Sequence, residues 1–177
     1  PKPGEADTPT TEDGRAVPEA HGTVWIEDEF MLAYKVVGRV PMPAGFGFHP
    51  YFERALVAEE EVAVEFRAKG VYPGETPLPT GPPVPLPAHM DFSVRRRLDV
   101  ALDQCFAGWD GRATVHWPRS AVSVAMEAST AFRHVILYSP PGQPFFALEP
   151  VTHANDGFNL LEAGQTGTGV VVLEAGE

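Results

Sequence analysis

Cysteine is almost missing from this chain, with Cys105 the only one in 177 residues. That excludes an intrachain disulfide and a Cys-based zinc site. Basic residues are also scarce: 13 Lys and Arg face 24 Asp and Glu, a formal net charge of −11. A phosphate backbone would be repelled over most of such a surface, which argues against nucleic acid as a partner. The one basic run, Arg95–Arg97, reads as a solvated face. No apolar run reaches the ~18 residues that a membrane span needs. His89, His116, His134 and His153 show neither H-x-H nor H-x-x-x-H spacing. No metal centre is therefore expected, which disfavours a metal-dependent cupin. The segment "GQTGTG" lacks the Lys-Ser/Thr ending of a phosphate loop. Methionine is absent from the first position, which is Pro1. The expectation is a processed or shortened start, and a cytoplasmic location unless a targeting segment has been removed.

Turn-forming residues, in contrast, are plentiful, with 19 prolines and 17 glycines. By length the chain is one domain, able to bury about 70% of its unfolded surface. Residues 1–20 carry four prolines and almost no large apolar side chain, so a flexible N-terminal arm is expected over 1–22. The domain is expected over 23–177. There, strand-like runs follow one another at 29–37, 61–68, 113–117, 121–127, 134–139, 144–149 and 168–174. In "EVAVEFRA", Val62, Val64 and Phe66 alternate with Ala63, Glu65 and Arg67, the period of a half-buried strand. Breaks such as "GWDGR", "WPRS" and "SPPGQ" are turn chemistry. The expected fold class is all-β, an antiparallel sandwich or barrel. A short helix is expected only at 95–106, where Leu98, Leu102 and Cys105 fall at helical spacing. The proline-rich stretch Pro73–Pro87 reads as an extended connection of the kind that builds a site's rim.

Three stretches could hold chemistry. In "PAGFGFHPYF" (43–52), His49 is either a satisfied core residue or a group held for proton transfer. In "FFALEPVTHANDGFN" (145–159), Glu149 ends an apolar strand. It is either a general base with a pKa raised by burial or a strand-end carboxylate accepting structural hydrogen bonds. In "ALDQCFAGWDG" (101–111), Asp103 and Trp109 suit sugar recognition, carboxylate to hydroxyls and ring to C–H face. The other reading is an Asp that caps a turn beside a core Trp.

Taken together, "PMPAGFGFHPYF", "LDQCFAGWDG" and "FFALEPVTHANDGFN", in that order, resemble the aldose 1-epimerase (galactose mutarotase) family. "LPTG", Asp91–Phe92 and the closing "TGVVVLEAGE" resemble it too. The resemblance implies a β-supersandwich and interconversion of the α and β anomers of a free aldose, with no metal or nucleotide cofactor. It further implies that His49 is the acid, Glu149 the base and Asp103 the residue orienting the sugar. His21, in "AHGTVW", matches a further family histidine that contacts substrate. On this reading the acid and base lie on opposite sides of the sugar, about one ring apart.

The chain also departs from the family. The early "NR" segment has no counterpart, the interval from His21 to His49 is short, and Ile136 stands where some members carry a glutamine. Missing strands would leave the sandwich incomplete, with open edges that invite a homo-oligomer. Two alternatives stay open. A hexose-6-phosphate 1-epimerase would need Arg54, Arg133 or the Arg95–Arg97 run at the pocket mouth. A non-catalytic carbohydrate-binding remnant would keep the cleft without the reaction.

Overall fold

The computed structural model describes residues 18–26, 29–74 and 78–176. The strands are β1 (Pro18–Ile26), β2 (Glu29–Val36), β3 (Met42–Ala44), β4 (Tyr51–Glu53), β5 (Ala63–Phe66), β6 (Gly70–Val71) and β7 (Arg96–Arg97). They continue with β8 (Leu102–Ala107), β9 (Arg112–Trp117), β10 (Val122–Glu127), β11 (His134–Ser139), β12 (Phe145–Val151) and β13 (Val171–Leu173). The one α-helix among the described residues is α1 (Gly157–Glu162). The protein is nearly all-β with antiparallel sheets, as the turn-rich composition predicted. No helix of the described residues is long and apolar enough to cross a membrane.

The chain divides into two compact units. One holds β1 paired with β2 and β3 paired with β13. The other, Gly45–Val170, is the sandwich. Of the arm expected over 1–22, residues 1–17 lie outside the described residues and Pro18–Gly22 lie in β1. The expected boundary at residue 22 thus falls inside a strand, and the segment 23–177 contributes to both units.

In the sandwich, a five-stranded sheet runs β4-β12-β11-β8-β6 and a four-stranded sheet runs β10-β9-β5-β7. Alternation aims Phe106, Val135, Leu137, Phe146 and Leu148 of the first sheet into one core with Val64, Phe66, Ala113, Val115 and Trp117 of the second. Phe66 meets Phe106 edge-on at 5.0 Å, and Phe52 lies 6.3 Å from Trp117, so aromatic rings tie the two sheets together.

The helix expected at 95–106 is not formed; β7 and β8 occupy that stretch. Leu102 and Phe106 face the core while Asp103, Cys105 and Ala107 face away from it, a period of two. Pairing with β11 along the whole of β8 satisfies its backbone and overrides a weak helical spacing. The proline-rich connection folds back on β6, with Val71 and Val84 exchanging backbone hydrogen bonds at 3.0 and 2.9 Å. Helix α1 was not anticipated. Its signal was Asp156 at the start and Gly164, at φ +80°, just past the end.

Candidate functional site

The five-stranded sheet has a second face, opposite the core, and register places the candidate residues on it. Glu149 of β12 pairs with Ile136 of β11, which pairs with Cys105 of β8. One register step along the same face, Tyr51, Ala147, Tyr138 and Asp103 form a row across β4, β12, β11 and β8. His49 arrives from the segment before β4. That segment is laced to β12 by Phe48 N–H to the Pro150 carbonyl at 3.0 Å and by Thr152 N–H to the Phe46 carbonyl at 2.9 Å. Phe46 N–H also donates to Thr152 Oγ1 at 2.9 Å.

The local sequence allows this close approach. A Cβ on Gly47 would lie 2.5 Å from Val151 Cγ1, so only glycine fits. Pro150 accepts from Phe48 on the side where its own N–H would have pointed, so its missing donor leaves the β11 ladder intact. The lacing brings His49 Nε2 to 3.0 Å from Glu149 Oε1.

The two partners sit in unlike surroundings. The His49 side chain is 51% exposed and that of Glu149 only 9%. Burial, and after it the Asp103 charge, push the Glu149 carboxyl up to about 7. Asp103 is itself raised by burial, with His49 pulling it back. The Cys105 thiol is pushed up to about 12 by burial and by Glu149, against a backbone hydrogen bond from Asn155. The arrangement can hold one proton between an open imidazole and a dry carboxylate.

Ile136, directly across from Glu149, supplies part of that dryness. Ile136→Gln would put an amide beside the carboxylate and stabilise its charged form. The expected result is a Glu149 titration moved down by about one pH unit. A carboxyl carbon signal followed by NMR against pH would check it, and an unmoved midpoint would refute it.

Other expectations fare differently. Trp109 is not an exposed sugar platform: it is 1% exposed in the core, and its Nε1–H donates to the Arg112 carbonyl at 2.9 Å. The turn is capped by Asp110, whose Oδ1 accepts from Arg112 N–H at 3.1 Å, and not by Asp103. His21 lies in β1 of the other unit, where the register shifts between Ala20 and Thr23; its side chain lies outside those described. Arg54 donates to the carbonyls of Gln143, Leu98 and Pro140 and to Ser139 Oγ, and stands over the Phe146 ring on the core side of the sheet. Arg96 is held by the Ala88 and Asp91 carbonyls, and Arg97 by Glu61 at 2.8 Å. His153 contacts Thr152 Oγ1 at 3.2 Å, and His134 Nδ1 donates to the Thr152 carbonyl, so both secure the chain after β12. Sequence reasoning missed Tyr51, whose ring stacks on His49 with centroids 4.6 Å apart. Its signal was the His-Pro-Tyr triplet.

Residues 23–177 match the aldose 1-epimerase family, and the chain belongs to it. The chain is 28% identical over 149 residues to the uncharacterized protein YphB of Escherichia coli K12, covering 79% of this chain and 49% of that protein. A solved structure of a candidate aldose 1-epimerase from Escherichia coli K12 superposes with a TM-score of 0.65 at 27% identity, over 81% of this chain and 50% of that one. A galactose mutarotase-like protein from Clostridium acetobutylicum gives 0.64 at 15% identity, over 81% and 47%, a likeness of fold. The chain spans about half the length of these relatives.

Proposed function

We propose that this member of the family interconverts the α and β anomers of a free aldose, with His49 and Glu149 as the acid–base pair and Asp103 holding the sugar. The observation that carries the reading is the 3.0 Å contact between an exposed imidazole and a buried carboxylate on the sheet face opposite the core. His49, as imidazolium, gives its proton to the ring oxygen as the C1–O bond breaks. Glu149 takes the proton from the C1 hydroxyl, leaving an open-chain aldehyde. Rotation about C1–C2 turns the other face of the carbonyl to the ring oxygen. Closure then returns one proton to the new C1 hydroxyl from Glu149 and one to His49.

The pair is adjacent, whereas sequence reasoning put it on opposite sides of the sugar, a ring apart. Adjacency suits the chemistry, since the ring oxygen and the C1 hydroxyl are bonded to the same carbon. Opening the direct contact lets each partner take one of the two oxygens. A sugar phosphate would have to use Arg95 or Arg133, since Arg54 lies on the opposite side of the sheet and Arg96 and Arg97 already have partners.

Polarimetry of freshly dissolved α-glucose and α-galactose tests this. The expected result is a rate proportional to protein concentration that follows a bell in pH, rising near 7 as Glu149 ionises and falling again at higher pH, because the step needs a protonated acid as well as an ionised base. No rate above the uncatalysed background would overturn the reaction in favour of a carbohydrate-binding remnant.

A further inference from the structure

Resting on that reading, we infer that Tyr51 is a positioning residue: its ring holds the His49 imidazole in line for the sugar's ring oxygen.

The sequence His49-Pro50-Tyr51 dictates the contact. A residue before proline is confined to extended backbone, and side chains two apart on extended backbone share a face. Tyr51 opens β4 opposite Ala147, a side chain too small to push the phenol aside. Phe145 meets the phenol edge-on, with centroids 5.3 Å apart and planes at 84°. The result is a near-parallel stack on His49, 4.6 Å between centroids and 28° between planes.

Among the described residues no other hydrogen bond or ring contact fixes the imidazole's plane. Its contact with Glu149 is made through Nε2 alone, a pivot about which a half-exposed ring can turn. The stacked phenol removes that freedom. Tyr51 is 59% exposed, so it adds little to the core. The aromatic face also attracts a cation, so the stack holds the imidazolium that gives up its proton in the reaction. The charged or titratable groups facing the imidazole are Glu149 from β12, Asp103 from β8 and Tyr51 itself, with Tyr138 of β11 in the Asp103 row.

Two variants test the inference, Tyr51→Phe and Tyr51→Leu. Two readouts are used: mutarotation kinetics, and the chemical shifts of the imidazole protons by NMR, assigned by the signal lost in His49→Gln. Tyr51→Phe keeps the ring and should stay within about twofold of the parent rate, with the imidazole signals near their parent positions. Tyr51→Leu should lower kcat roughly tenfold with KM little changed, and move the imidazole signals downfield as the shielding of the stacked ring is lost. Unmoved imidazole signals in Tyr51→Leu overturn the inference. So does a raised KM with kcat unchanged, which would make Tyr51 a sugar platform. If the parent shows no mutarotation, the proposed reaction falls, and the imidazole signals alone decide whether Tyr51 holds His49.

Discussion

By the proposed reaction, Glu149→Gln should cut the enzyme-dependent rate of anomerisation by roughly 10²-fold or more, and it should also make the protein more stable above neutral pH. The loss of rate follows from removing the base while keeping its shape. Glutamine can still hydrogen-bond to His49 but cannot take the C1 hydroxyl proton. The gain in stability follows from the cost of burying a carboxylate. Glu149 has its pKa raised to about 7 in the folded protein, above the ordinary carboxylate range. Below about pH 4 both folded and unfolded states hold the proton, and the side chain costs nothing. As pH rises, the unfolded chain sheds its proton first, so stability falls until the folded carboxyl ionises as well. Above that point the native protein carries a penalty of roughly 2–3 kcal/mol that glutamine does not. Thermal melts of parent and variant should therefore diverge by several degrees at pH 8 and converge at pH 4. A gain that persists undiminished at pH 4 would mean that some effect other than ionisation stabilises the variant. A variant rate within twofold of the parent would remove Glu149 from the reaction.

Trp109→Ala should be the most destabilising single change in the turn between β8 and β9, costing about 3–5 kcal/mol. Its indole is all but sealed in the core, and its N–H has a partner in the Arg112 carbonyl. Truncation loses the packing and leaves that carbonyl without its donor. Backbone hydrogen bonds from Trp109 to Arg133 and from Asp110 to Arg67 keep the turn in place, so the site relaxes little and a cavity remains. In a protein of this length the melting temperature should drop by roughly ten degrees or more. The KM for sugar, measured where the variant is still folded, should not change. A raised KM with an unchanged melt would restore Trp109 as a sugar platform.

These two residues mark where local pattern stops informing. The fold class was legible because strand periodicity is a local property. Val64, Phe66, Phe106, Phe146 and Leu148 each sit at the alternate positions that a half-buried strand requires. The apolar runs at 113–117, 121–127 and 134–139 became β9, β10 and β11 within a residue at either end. Residues 95–106 were misread because Leu98, Leu102 and Cys105 satisfy a helical spacing while Leu102 and Phe106 also satisfy a strand's. Only the neighbouring β11 chose between them. Trp109 and Tyr51 show the same limit from opposite sides. Both are aromatic residues beside polar ones, and the sequence ranks neither as the exposed ring.

By itself, then, the sequence determined that this chain is built from antiparallel strands and excluded a disulfide within it. Through three motifs it also pointed to His49, Asp103 and Glu149 as the residues to watch. The tertiary structure alone decided that these three share one face of one sheet, because strand order and register are long-range choices that no local window contains. It alone decided that the carboxylate is dry while the imidazole is wet, because burial depends on what packs on top of a residue. The contrast in their surroundings raises the Glu149 carboxyl toward neutral pH and leaves an exposed partner 3.0 Å away with which to share a proton.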